Sequence, residues 1–295
     1  MKKLLFLLAA FSFFSCEKDI DIKLDDTTES LVVDGSIESG QPPLVILSKS
    51  LNYFSKIDAD ILQNSFVRNA EVYISDGVKR HRLKEDSIVN TTGNVIYYYS
   101  NDPANPSTAI IGTFNTSYTL EINAEGKQYK ASTTIPSISR RIDSLWWEAV
   151  QITKPEDSNL VKMIIRATDQ PGLGDYIRYF TKTNQEPFYP GFNSVFDDQV
   201  IDGTTYTFPV DRGVNKNFEI KEDDVFFSRG DTVILKLSDI DRVNFDFWRT
   251  FEFSFQSIGN PFSSPVKVLG NISNGALGYF GGYAAQFRTL IIPPR

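Results

Sequence analysis

One histidine and one cysteine limit the side-chain chemistry open to this 295-residue chain. His81 sits among Lys79, Arg80 and Arg82, and any serine–histidine–aspartate or cysteine–histidine unit would have to use it. Those neighbouring cations oppose the imidazolium that general-base catalysis generates, and no G-x-S-x-G accompanies the histidine. An exposed strand position is the expected role for His81. Zinc of the usual histidine–cysteine type is excluded by the same count. Carboxylates are more plentiful: Asp197-Asp198, Asp202, Asp223-Asp224, Asp239 and Asp241 are of the right type for paired-acid glycoside hydrolysis. Their catalytic separation is spatial, however, and adjacent acids in loops are usually solvated turn residues. Such loops could also offer hard oxygen ligands to calcium. The D-x-[DN]-x-[DN]-G loop is absent, so no metal and no other cofactor is expected. Gly281-Gly282 lacks the lysine of a phosphate-binding loop.

The remaining reactive group is Cys16, and its position points to attachment. Lys2 and Lys3 precede an apolar run from Leu4 to Phe14, and Ser15 places a small residue before the cysteine. That is the layout of a secretory signal peptide over residues 1–15. The run would be roughly 16 Å long as a helix, against about 30 Å of hydrocarbon, so it is not expected to span. A single thiol cannot form an internal disulfide. Phe13-Phe14-Ser15-Cys16 reads as a loose lipobox, with Cys16 acylated by diacylglycerol and a palmitate-type chain. Two or three acyl chains would hold a protein on a membrane where one binds only marginally. Residues 16–30 then hold six acids against Lys18 and Lys23 and read as a solvated tether. Within it, Glu17, Lys18 and Asp19 resemble the acidic export signal of surface-displayed lipoproteins. The expected location is the outer membrane, lipid-anchored and on the cell surface, with the periplasmic leaflet as the alternative.

Two aromatic features suit binding. Trp146-Trp147 and the segment from Pro187 to Phe196, with Phe188, Tyr189 and Phe192, could stack on sugars or peptides or dock a partner. Neighbours in a strand point to opposite faces, so at most one of the two tryptophans faces a core, and packing between the two domains is the expected alternative to binding. Proline and glycine place Pro187–Phe196 in a surface loop. The formal net charge is −7, and loss of Lys2 and Lys3 with residues 1–15 would make it −9. That charge disfavours nucleic acid and anionic lipid as electrostatic partners.

The elements that must position these residues are mostly strands. The 23 phenylalanines, 13 tyrosines and frequent Gly, Pro, Asn and Asp punctuation favour a mainly β chain. Asp76-Gly77 and Glu125-Gly126 mark hairpins. Around seven short strands over residues 31–136 have the size of an immunoglobulin- or transthyretin-like β-sandwich. Pro136 and the following polar stretch mark a boundary, after which residues 141–295 form a second β-rich domain. Residues 184–230 are weakly patterned. One amphipathic helix is expected at about 239–257, capped by Ser238 or Asp239. Ile240, Val243, Phe247, Phe251 and Phe255 form one apolar face, and Phe245, Trp248 and Phe253 leave a second, so the helix is expected to be buried on more than one side.

Several segments together resemble the domain of unknown function 4249 family of Bacteroidota outer-membrane lipoproteins. They are Cys16-Glu17-Lys18, LVVDGSIESGQPPLVILSKSLNYF, RNAEVYISDG, EGKQYKASTTIP with IDSLWW, GDTVILKLSDIDRVNFDFWRT and GNPFSSPVKVLGNISNGALGYFGGYA. The resemblance implies a surface or periplasmic lipoprotein, often associated with TonB-dependent transporters, and brings no catalytic residues. The expectation is a non-enzymatic accessory subunit docked on an outer-membrane β-barrel. A stand-alone glycan- or peptide-binding lipoprotein is the alternative, and a carboxylate-based hydrolase follows behind it.

Overall fold

The computed structural model describes residues 29–51, 59–90, 93–151, 159–260, 263–264 and 266–295. Fifteen strands and two α-helices are described. The first seven strands are β1 Leu31–Glu38, β2 Leu44–Lys49, β3 Glu71–Ser75, β4 Arg80–Val89, β5 Val95–Asn101, β6 Thr116–Ala124 and β7 Lys127–Ile135. After the link at residues 136–139 come β8 Arg140–Ala149, β9 Leu160–Asp169, β10 Tyr176–Thr183, β11 Tyr189–Asp197 and β12 Thr205–Val210. The last three are β13 Phe227–Ser228, β14 Thr232–Ile240 and β15 Leu277–Ile291. Helix α1 covers Ala59–Ser65 and helix α2 covers Arg242–Gln256. No described helix is long and apolar enough to cross a membrane.

Eleven strands form one mixed sheet in the order β11-β10-β14-β15-β1-β2-β5-β4-β3-β6-β7. The final strand, β15, lies between β14 (antiparallel) and β1 (parallel), so the two ends of the described chain meet in the sheet's centre. The amino-terminal strands curl over, which brings Gly35 of β1 close to Leu120 of β6. A β-carbon at Gly35 would lie 3.1 Å from Phe280 and 3.6 Å from Leu120. Val33, Ile37, Val45, Leu47, Val72, Ile74, Leu120 and Ile122 fill the interior of this sandwich. A smaller sheet of β12, β9 and β13, with β8 paired to β9, covers the carboxy-terminal part of the large sheet. Val161, Met163, Ile165, Val233, Leu235 and Leu237 form the core between those two layers.

Local sequence accounts for much of this order. In β6 and β7 every second residue is buried, including Tyr129 and Ala131 on the returning arm. Glu125 and Gly126 both have positive φ, 50° and 75°, as a two-residue hairpin turn requires. At the other hairpin, Asp76 Oδ1 accepts from the backbone N–H groups of Val78 (2.9 Å) and Lys79 (2.6 Å).

Three expectations need correction. Pro187–Phe196 is largely the edge strand β11 rather than a loop, and the weakly patterned residues 184–230 also hold β12 and β13. Ladder bonds from β11 to β10, and from β12 and β13 to β9, supply the order that the side-chain pattern does not advertise. The helix begins at Arg242, because β14 continues to Ile240 and Asp241, not Ser238 or Asp239, caps it. Asp241 Oδ1 accepts from the backbone N–H of Asn244 at 2.8 Å. The burial of α2 differs in part from the two expected faces: Phe247 of the first and Phe245 of the second are covered, together with two polar residues. Asn244, Phe245, Phe247 and Glu252 are buried, whereas Val243, Phe251 and Phe253 are exposed.

Candidate functional site

His81 faces the interior of the amino-terminal sandwich and is buried, against the expectation of an exposed residue. Its Nε2 accepts from the backbone N–H of Asp102 at 2.9 Å, which leaves Nδ1 as the donor to Thr108 Oγ1 at 2.8 Å. Burial pushes the imidazole pKa down, opposed by Asp102. Both ring nitrogens are committed to holding the Asp102–Thr108 loop.

Strand alternation creates a site on the opposite side of the large sheet. Asp34, Ser36 and Glu38 on β1, Arg178 and Phe180 on β10, Lys236 on β14, and Tyr279 and Tyr283 on β15 share one face. Register places Asp34 beside Tyr279, Lys236 beside Phe180, and Ile240 beside Tyr283. Helix α2 lies over that face. Its capping residue also ties it down, because Asp241 Oδ2 accepts from Thr133 Oγ1 and the backbone N–H of Thr134, each at 2.8 Å. A turn further on, Phe247 stacks on Tyr279 at 4.6 Å between ring centroids.

Between the middle of α2 and the sheet, a cleft of about 380 Å³ opens. Phe180, Trp248, Phe251, Tyr279 and Tyr283 form its aromatic walls, and Arg178, Lys216 and Lys236 bring three cations. The Arg178 guanidinium carbon lies 3.3 Å from the Trp248 ring centroid. Arg178 Nε donates to Ser194 Oγ (3.1 Å) and Nη1 donates to Tyr283 Oη (3.3 Å), which also accepts from Trp248 Nε1 (3.0 Å). Glu252 reaches inward from α2. Its carboxylate accepts from the Ser194 backbone N–H (2.9 Å) and Oγ (2.5 Å) and meets Lys216 Nζ at 3.3 Å. Burial pulls the Lys216 ammonium pKa down, partly offset by Glu252. Lys236 Nζ pairs with Glu38 at 2.9 Å and lies 4.5 Å from the Phe180 ring. Burial raises the Asp34 carboxyl pKa, although a hydrogen bond with Tyr279 opposes the rise. This arrangement offers ring-stacking surfaces and positive donors to a planar or sugar-like ligand with acidic groups.

The anticipated binding residues divide between surfaces. Phe188 reaches the rim of the cleft: its ring lies 5.3 Å from Lys236 Nζ and 6.0 Å from the Phe287 ring. Tyr189 pairs with Thr181 and so lies on the other face, where its hydroxyl accepts from Asn215 Nδ2 at 3.3 Å. Phe192 is half-buried in β11. Trp146 and Trp147 belong to β8 of the smaller sheet, away from the cleft. Trp147 packs partly into the carboxy-terminal core beneath Arg229, and Trp146 donates to Glu148 Oε1 at 2.9 Å. Cys16, Glu17, Lys18 and Asp19 lie outside the described residues. Arg178, Lys216, Lys236, Trp248, Tyr279 and Tyr283 escaped sequence reasoning because five separate segments supply them. The alternation of Tyr176, Arg178 and Phe180 was the available signal, a cation spaced two residues from aromatics within a strand.

The acids have structural partners too. Asp198 Oδ2 accepts from the backbone N–H groups of Gly174 (2.8 Å) and Asp175 (3.0 Å), and Asp202 Oδ1 accepts from that of Gly172 (2.6 Å). Asp224 Oδ2 accepts from the Lys221 N–H at 2.8 Å, beside Asp223 in a 3₁₀ turn. Asp197 closes β11. Asp169, Asp175 and Asp198 bring one oxygen each within 4.8 Å of the others, an arrangement that could hold a cation. Their neighbours take part of that capacity, since Asp169 Oδ1 already accepts from Arg140 Nε at 3.0 Å. Burial raises the Asp175 carboxyl pKa, with Asp169 and Asp198 adding to the effect. Burial also pushes Asp239 up to about 6, against bonds from Ser139.

No curated protein matches the chain. The family model described as Domain of unknown function (DUF4249) matches residues 17–288, and the chain belongs to that family.

Proposed function

We propose that this protein is a lipid-anchored, non-enzymatic accessory or binding subunit of the outer membrane, displayed at the cell surface. In this reading Cys16 carries the acyl chains, Glu17, Lys18 and Asp19 direct export, and residues 16–30 hold the body off the bilayer. The body docks on an outer-membrane β-barrel such as a TonB-dependent transporter and presents or gates its cargo. The observation that carries the binding part is the cleft beneath α2, where aromatic walls and three cations come together from separate elements. Its carboxylates serve as anchors: Glu38 for Lys236, and Glu252 for Lys216 and Ser194. That use favours contact over acid–base turnover.

The same cleft favours a second reading, a stand-alone binder of acidic glycans or peptides. Thermal shift of the full chain against a panel of both ligand classes tests it. In the binding reading, acidic members raise the melting temperature and Phe188→Ala or Phe251→Ser at the rim removes the effect. No stabilisation by any member, together with hydrolysis of one, would replace binding by a carboxylate-based hydrolase.

A further inference from the structure

Of the three cations in the cleft beneath α2, Arg178 is the one whose charge the protein leaves unanswered. Lys216 is paired with Glu252, and Lys236 with Glu38. Arg178 forms no ion pair among the described residues, although it is only 4% exposed. Its Nε and Nη1 donate to the neutral hydroxyls of Ser194 and Tyr283. Nη2 has no hydrogen-bond partner among the described residues and stays open to solvent, unlike the enclosed Nη1 and Nη2 of Arg140. Asp34 feels the charge of Arg178, but burial dominates and raises its carboxyl pKa, which weakens it as a counter-ion. A buried cation is stabilised when an anion reaches it, and the planar edge of a guanidinium matches a carboxylate.

The rest of the cleft decides what carries that carboxylate. Its volume of about 380 Å³, at about 30 Å³ per water-sized group, holds roughly a dozen non-hydrogen atoms, the size of one six-membered sugar acid. The opposite wall is β1, three strands from β10 and so about 14 Å away at the spacing of a sheet. That wall is polar. Ser36 Oγ has no partner among the described residues, and Glu38 gives Oε2 to Lys236 and keeps Oε1. A hydroxyl and a carboxylate oxygen suit the hydroxyl groups of a sugar and do not suit an apolar carboxylic acid. Glu38 also disfavours a second negative charge. Between the two walls, the partly exposed rings of Phe180 and Phe251 offer faces to the C–H side of a pyranose.

We infer that the cleft beneath α2 takes one hexuronate residue of an acidic glycan. Its carboxylate accepts from Arg178 Nη2, its ring lies against Phe180 and Phe251, and its hydroxyls meet Ser36 and Glu38. This inference rests on the reading of the cleft as a site for acidic ligands, and it names the acid.

The test uses the detergent-solubilised full chain labelled with 5-fluorotryptophan. The chain has three tryptophans, so its fluorine spectrum is simple, and Trp248→Phe identifies the resonance that belongs to the cleft. Methyl glucuronide is titrated, with its uncharged methyl ester and N-acetylphenylalanine as comparators. The expected result is a saturable shift of the Trp248 resonance that leaves Trp146 and Trp147 in place. Affinity should be at least tenfold weaker for the ester and for N-acetylphenylalanine. Arg178→Lys keeps the charge but loses the planar fork and should weaken glucuronide binding at least fivefold; if it fails to fold, the comparison of acid with ester carries the same information. Ester binding as tight as that of the acid would overturn the role of Arg178. Tighter binding of N-acetylphenylalanine would overturn the sugar assignment and keep the cleft as a site for acids. A Trp248 resonance that neither acid moves would overturn the inference together with the reading of the cleft on which it rests.

Discussion

Replacing Glu252 by alanine should destabilise the protein more than removing any exposed phenylalanine of the same helix. Glu252 is 3% exposed and Ser194 is fully buried. Truncation leaves the Ser194 N–H, the Ser194 hydroxyl and Lys216 without their shared acceptor. Breaking a buried charged pair by removing one member costs about 3–5 kcal/mol. Lys216 retains 16% side-chain exposure and can recover some hydration, which places the estimate near the lower end, about 3 kcal/mol. Alanine's better helix propensity returns only a few tenths of a kcal/mol. For a chain of this size, about 3 kcal/mol lowers the melting temperature by roughly 6–9 °C. Glu252→Gln keeps one acceptor and should cost about half as much. Phe253 is 52% exposed and Val243 47%, so their alanine variants should stay within about 1 kcal/mol. Urea denaturation of the detergent-solubilised full chain, followed by tryptophan fluorescence, reads all four. Trp248 reports on the site, since it packs against Arg178 at the cleft. A loss below 1 kcal/mol for Glu252→Ala, or a larger one for Phe253→Ala, would refute the packing described for α2.

Gly213→Ala should cost at least about 2 kcal/mol in the same assay, because its β-carbon would fall 2.0 Å from the Tyr189 carbonyl oxygen. Unchanged stability would mean that the approach to β11 is looser. Asp239 has a folded pKa of about 6, above its usual 3.8. Its contribution is therefore fully present below about pH 4 and lost as pH rises through 6. Between pH 4 and 7 the wild type should lose up to about 2–3 kcal/mol more than Asp239→Asn; parallel losses would contradict the burial assigned to that carboxyl. For His81 the sign reverses: its folded pKa is lowered, so its contribution is present above pH 6.5 and declines as pH falls. The imidazole Cε1–H resonance should titrate with a midpoint below 6.5, and a midpoint above it would rule out the neutral ring bridging Asp102 and Thr108.

Strand existence was legible in the sequence wherever alternation was strict or a turn needed a left-handed residue. Tyr129 and Ala131 on β7 and the Glu125-Gly126 turn illustrate both cases. Pairing across the sheet was not legible. The parallel contact of β15 with β1 joins residues nearly 250 positions apart, and no local pattern encodes it. Helix α2 misled for a physical reason: apolar periodicity pointed to Val243, Phe251 and Phe255, yet the sheet beneath offers polar partners. Ser194 and Lys216 draw Glu252 inward, and Phe251 and Phe253 turn outward. His81 misled similarly, since its cationic neighbours Arg80 and Arg82 lie on the opposite face of β4 and are exposed. Of the aromatic candidates only Phe188 reaches the cleft. The others were chosen for residue type, whereas the site is composed by register.

If the protein works by contact with an outer-membrane barrel, as proposed, that partner should be isolated with it. Affinity purification of the tagged full chain from native membranes in mild detergent, with quantitative mass spectrometry, tests it most directly. The expected result is one β-barrel protein recovered in near-equimolar amount, and an amino-terminal peptide carrying acyl chains on Cys16. Recovery of the chain alone, or of a chain whose Cys16 is unmodified, would contradict it.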